Sequence, residues 1–252
     1  HAGMLSFEFS SGRQRLIVNC GSSIQRGWAE ALRYPAAHSV LELADLTPMR
    51  FDANGGISQK PQVTRQMSVQ DGVHCLSMTH DGYKPQGGGL YSRKIYLDKD
   101  GTVLQGIEKL EDVSIPVPLC IRFHLHPDVN IEQEEDGYLL HTPEETWFCW
   151  SDADIEIEES VYLGQGQHQP TRQFVLTPAG AEQPAEEAND PLETHPAEEE
   201  ALPAETITPM DHTPEVPEVG TGLLAEPSGP EANGLENTLL PPPPVPQAPS
   251  KP

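Results

Sequence analysis

CIRFHLHPDV, residues 120–129, is the stretch on which the fold turns. Ile121, Phe123 and Leu125 alternate with Arg122, His124 and His126, and Pro127 stops the run. A period of two sends successive side chains to opposite faces, so this is a strand with one apolar face. Proline has no N–H with which to continue a ladder. IEIEESVYLG, residues 155–164, repeats the pattern. Ile155, Ile157, Val161 and Leu163 face one way, and Glu156, Glu158, Ser160 and Tyr162 the other.

Working outward, similar runs occur at 4–9, 14–19, 38–43, 73–79, 90–97, 103–110, 137–141, 146–150 and 171–177. Asp100-Gly101 and Asp136-Gly137 supply hairpin turns. The one helical stretch is 24–34, weakened by Gly27. Short strands at this spacing predict an all-β fold, an antiparallel β-sandwich. Its outward polar rows face either solvent or a cleft.

Composition divides the chain near residue 180. Of 39 acidic and 15 basic residues, 15 and one fall after that point, which leaves the first part at −10 and the remainder at −14. The remainder carries 16 of the 26 prolines and no aromatic residue. Such a segment buries too little apolar surface to offset its ordering entropy. Residues 1–178 are therefore expected to form the domain, and 179–252 a disordered acidic Pro-rich tail. The Pro241–Pro244 run is a polyproline II segment, a tether or a ligand for a proline-recognising groove.

An acidic chain with no basic stripe argues against a nucleic-acid partner. No apolar run approaches the roughly 20 residues of a membrane helix. Cys20, Cys75, Cys120 and Cys149 stand alone without a C-x-x-C spacing, so neither a zinc ribbon nor a disulfide framework is expected. No nucleophile-elbow serine, phosphate loop or arguable glycosidase carboxylate pair occurs.

The chemistry-bearing residues are His1, His38, His80, His124 and His126. Neutral imidazole is a good ligand for zinc, and strands bring distant ligands together. His124 and His126 share a strand face, suited to a metal or a sugar surface. THDGYK, residues 79–84, places His80 and Tyr83 on either side of an Asp81-Gly82 turn. Trp28, Trp147, Trp150 and Tyr138 are candidates for stacking on sugar rings, with core packing the alternative for each.

HAGMLSFEFSSGRQRLIVNCG (1–21), RYPAAHSVLEL (33–43), HDGY (80–83), SRKIYLDKDGTVLQGIEKLE (92–111), IRFHLHPDV (121–129) and IEESVYLG (157–164) followed by TRQFVL (171–176) occur in order. Together they resemble the C-terminal β-domain of heparinase II/III-like polysaccharide lyases. The resemblance implies a supersandwich-like β-domain that follows a helical toroid, here lying upstream of residue 1. It implies β-elimination at a uronic acid of an acidic polysaccharide, with His38, His80 or Tyr83 as the catalytic contacts this domain would contribute. Alone, the domain is expected to be inactive; a non-catalytic carbohydrate-binding or structural module is the alternative. The family's zinc site maps onto His1 and His38, but Asn19 and Gly3 stand where aspartates are usual. A periplasmic or cell-envelope location follows from the resemblance, and a cytoplasmic one from the unpaired cysteines.

Overall fold

A computed structural model of the chain describes residues 1–115, 117–164, 166–178 and 219–225. The chain opens with a turn rather than a strand. Leu5 adopts φ 64°, and pairing begins only with β1 (Phe9–Ser11) and β2 (Gln14–Val18). The helical stretch condenses to α1 (Arg26–Ala31), six residues long. Next come β3 (Leu41–Leu43) and a small hairpin of β4 (Arg50–Phe51) and β5 (Ile57–Gln59).

The central meander is β6 (Val63–Gln70), β7 (Val73–His80), β8 (Leu90–Leu97) and β9 (Val103–Glu111). Asp71-Gly72 closes β6 onto β7 with both φ values positive, as an Asp-Gly two-residue hairpin loop requires. Then follow β10 (Leu119–Leu125), β11 (Asn130–Glu134), β12 (Gly137–His141), β13 (Thr146–Ser151), β14 (Asp154–Tyr162) and β15 (Gln169–Thr177). Gly137 belongs to β12, so the β11–β12 turn is Glu135-Asp136, one residue earlier than expected.

Two antiparallel sheets result. A six-stranded sheet runs β1-β2-β10-β15-β14, with β3 added to β10. An eight-stranded sheet runs β11-β12-β13-β16-β9-β8-β7-β6, where β16 is Val219–Ala225. Leu104, Leu110, Leu140 and Trp147 of the larger sheet meet Ile121, Phe123, Leu125, Phe174 and Leu176 of the smaller one in a single core. Each such side chain contributes about 1.5–3 kcal/mol by leaving water.

The sixteenth strand, β16 (Val219–Ala225), corrects the expected tail. It lies inside 179–252 yet pairs with β13 on one side and β9 on the other, at the centre of the larger sheet. Val219 and Leu223 are buried in the core. The composition of the surrounding residues concealed a seven-residue strand, VGTGLLA. The rest of the tail, including Pro241–Pro244, lies outside the described residues.

A buried cation ties the layers together. Arg93 of β8 donates through Nε to Glu108 at 2.7 Å, and through Nη1 to the carbonyls of Leu5 and Ser39, each at 2.8 Å. Tyr91 donates its hydroxyl to the second Glu108 oxygen. The left-handed turn at Leu5 is thus held by a guanidinium from the opposite sheet.

Candidate functional site

His80 and Tyr83 come together as the sequence suggested. The end of β7 delivers His80, and the following turn returns Tyr83 until the two rings lie 5.3 Å apart. Gly82 makes the return possible, since a Cβ there would strike the Pro48 carbonyl at 2.3 Å. His80 Nδ1 accepts the Gly82 N–H at 3.1 Å, which places the ring hydrogen on Nε2. That Nε2 has no partner among the described residues.

Both side chains are sealed: each is 1% exposed. Burial lowers the His80 imidazole to about 4, against a smaller opposing pull from Asp81. Burial pushes the Tyr83 phenol well above its usual range, helped by the charge of Glu42, and its hydroxyl donates to the Leu41 carbonyl. A neutral imidazole and a protonated phenol that cannot reach solvent support one another in the core.

His38 is brought to a different place, against the N-terminus. Its ring stands edge-on to His1 with centroids 5.4 Å apart. Gly3 is required there, because a Cβ would sit 2.2 Å from the imidazole. His38 Nε2 lies 3.1 Å from the Leu32 carbonyl, so that nitrogen serves as a donor. Burial lowers the His38 pKa, and the Leu32 bond opposes this.

Asn19 is engaged already, accepting from Ser39 N–H and donating to Glu8. No group of three or more His, Cys, Asp or Glu side chains able to hold a metal occurs among the described residues. Among the described residues His1 and His38 offer two imidazoles, one of them committed to a carbonyl, where a zinc centre takes at least three protein ligands.

The His124 and His126 pair does not present an open surface. His124 is 2% exposed, bonded to Ser160 Oγ at 2.7 Å and to the Ala36 carbonyl at 3.1 Å, with Cys20 Sγ at 3.5 Å. Burial, and then the Arg122 charge, lower its pKa to about 4. His126 packs edge-on against Tyr162. The segment that carries Ala36 and Ser39 covers this face of β10, which alternation within the strand could not reveal.

Among the aromatic candidates, Trp147 is fully buried and edge-on to Phe9. Tyr138 packs on Phe174 and donates to the Ile155 carbonyl. Trp28 is half-buried beside His168. Trp150 is different: it lies on the outer face of the larger sheet, its ring near-parallel to Phe148. Phe148 escaped the sequence reading because only its distance of two residues from Trp150 marked it.

Comparison with known proteins gives two findings. The family model described as Heparinase II/III-like, C-terminal, matches residues 1–190. The FtsZ-localized protein C of Caulobacter vibrioides is 28% identical over 193 residues, covering 68% of this chain and 33% of that protein. The chain thus spans about a third of the length of the curated relative it matches.

Proposed function

The chain belongs to the Heparinase II/III-like, C-terminal family, and from that premise we propose that it is the β-sandwich portion of a protein acting on a uronate-containing polysaccharide, engaging the saccharide without supplying the acid and base. One observation carries this reading: His80 and Tyr83 are in contact but sealed at 1% exposure each. β-Elimination needs a base at the C5 proton, neutralisation of the uronate carboxylate and an acid at the leaving oxygen, all within hydrogen-bond reach of substrate. Groups with no path to solvent cannot make those contacts, so the acid and base come from outside this domain.

The test is ultraviolet absorbance of the unsaturated uronate end, measured with several polysaccharides on the full-length gene product and on the 252-residue chain. The full-length protein should produce the chromophore and the chain alone should not. Elimination by the isolated chain, or by neither protein, overturns the reading.

A second reading rests on the likeness to a protein named for localisation to FtsZ. On it, the chain works with the division apparatus, and the sealing of His80 and Tyr83 is its native condition. Co-sedimentation of the full-length protein with polymerised FtsZ is expected under this reading only. The free state of Cys20, Cys75, Cys120 and Cys149 supports a reducing compartment for either.

A further inference from the structure

The outer face of the eight-stranded sheet has no part in the acid–base question, yet its construction is specific. Phe148 and Trp150 are successive outward positions on β13, with ring centres 6.2 Å apart and planes within 16° of each other. Each ring lies over a glycine of a neighbouring strand. A Cβ at Gly222 of β16 would sit 2.2 Å from the Trp150 indole, and one at Gly137 of β12 would sit 2.9 Å from the Phe148 ring. Any other residue at Gly222 would tilt the indole off the sheet, while at Gly137 a Cβ would first meet the Cys149 carbonyl at 2.3 Å and then the Phe148 ring. Both rings stay half-exposed.

The pairing register carries this face further. Trp150 pairs with Gly222, Gly222 with Gln105 and Gln105 with Tyr96, while Lys94 stands two residues before Tyr96 on the same face. At the usual spacing of strands, Lys94 is about 15 Å from Trp150 along the backbone grid. Between Thr64 and Lys109, the outward positions of β6 to β9 include Lys94 and Lys109 but no carboxylate. Lys109 pairs with Glu111, and Lys94 is exposed. Lys94 is therefore an exposed cation on a stretch without carboxylates, on one side of the plates, while the outward Glu132 and Glu134 of β11 lie on the other side.

We infer that Phe148 and Trp150 form a stacking platform for the sugar rings of an anionic polysaccharide, whose carboxylate several rings along the chain is met by Lys94. Level plates suit the flat C–H face of a pyranose. Gln105 and Tyr96, between the plates and the cation, offer hydrogen bonds to hydroxyls. The inference rests on the polysaccharide reading above and gives it a surface.

The experiment titrates the 252-residue chain with a size-defined oligouronate, following tryptophan fluorescence and calorimetry, with an uncharged oligohexose of equal length as comparator. The oligouronate should bind and the oligohexose should bind more weakly. Trp150→Ala should weaken oligouronate binding at least about tenfold. Lys94→Gln should weaken it about two- to fivefold and flatten its salt dependence. Arg13→Gln, at an exposed cation in the β1–β2 turn, should leave it unchanged. Lys94→Glu, at an exposed position that leaves the core intact, decides the matter if Trp150→Ala fails to fold: repulsion should abolish binding.

Equal binding of the oligohexose, or oligouronate affinity unaltered in Trp150→Ala and Lys94→Glu, overturns the platform. So does a fluorescence change on removing residues 226–252 with no response to oligouronate, which assigns the plates to the Pro-rich end of the chain. The two readings fail separately. Elimination by the full-length protein with unaltered Trp150→Ala binding sinks only the platform. Binding that depends on Trp150, without elimination by any form of the protein, sinks only the lyase reading.

Discussion

The six-stranded sheet turns glutamates outward, whereas the eight-stranded sheet confines its outward carboxylates to Glu132 and Glu134 of β11 and Glu111 at the end of β9, and between them turns out amides, hydroxyls, two lysines and two level aromatic rings. On the first, Glu42 and Glu158 converge on Arg122 and leave the surface acidic. On the second, the outward positions of β6 to β9 hold no carboxylate until Glu111. Their closure differs too. The smaller sheet is assembled within residues 9–177, whereas the larger stays split between β9 and β13 until a strand some forty residues beyond β15 enters. A sandwich can therefore have one sheet specified by contiguous sequence and the other completed from a segment whose composition reads as unstructured.

Removing that strand is the largest test of the contrast. A chain ending at Pro178 leaves β9 and β13 with unpaired inner edges and takes Val219 and Leu223 out of the core. The cost should exceed about 5 kcal/mol, the scale of a whole domain's stability. The expected result is loss of the cooperative thermal transition by circular dichroism, with new dye-binding hydrophobic surface. A chain ending at Ala225 should melt like the full chain. Identical melting of the shorter form would show that β16 is dispensable and the two sheets equally self-sufficient.

Next in size is the clamp between the sheets. Arg93→Ala leaves the Glu108 carboxylate buried and frees the carbonyls of Leu5 and Ser39. Losing one partner of a buried pair costs about 3–5 kcal/mol. Replacing both charges, as Arg93→Met with Glu108→Leu, should recover much of that in denaturant unfolding. If it does not, the carbonyl contacts to Leu5 and Ser39, rather than the unpaired charge, set the cost.

Much of the sandwich is legible in the residues, for stated physical reasons. Residues 121–125 alternate one apolar face with one polar face, residues 90–97, 137–141 and 146–150 are short aromatic and aliphatic runs between turn signals, and strands form at all four places. β6 escapes because every residue in it is exposed, so Val63, Met67 and Val69 have no buried face to announce. Residues 4–8 alternate like a strand, but the Arg93 clamp and the left-handed Leu5 bend them into a turn. At the candidate site, the meeting of His80 with Tyr83 is visible in the short turn between them. Their sealing is not, because Pro48 and Leu41 arrive from distant sequence.

A pH titration compares the sheets through one buried histidine each, His80 on β7 and His124 on β10. Both have pKa values lowered to about 4, chiefly by burial, against an unfolded value near 6.5. A depressed folded pKa means that the unfolded chain binds the proton first. The stability from keeping each ring neutral is therefore full above about pH 6.5 and is lost as pH falls toward 4. The loss should reach up to about 3 kcal/mol per ring. His80→Gln and His124→Asn, measured by urea unfolding at several pH values, should each flatten the slope. A slope untouched by His80→Gln would place the acid sensitivity wholly on the smaller sheet.

The smallest expected effect is on the acidic face. Arg122 Nη1 meets Glu158 at 2.9 Å, and Gln173 donates to the same oxygen at 3.0 Å, but the Glu158 side chain is 43% exposed. Water screens such a pair, and Glu42 still holds the guanidinium through Nε when Glu158 is neutralised. Glu158→Gln keeps the shape and an amide oxygen for Gln173, so its cost should stay below about 1 kcal/mol and shrink further in salt. The comparison of faces depends on that smallness. If Glu158→Gln cost as much as Arg93→Ala, the glutamates would be structural members of the smaller sheet. Charge on an outer face would then report how the sheet is held together, and the lack of carboxylates around Lys94 would lose its meaning as a mark of binding.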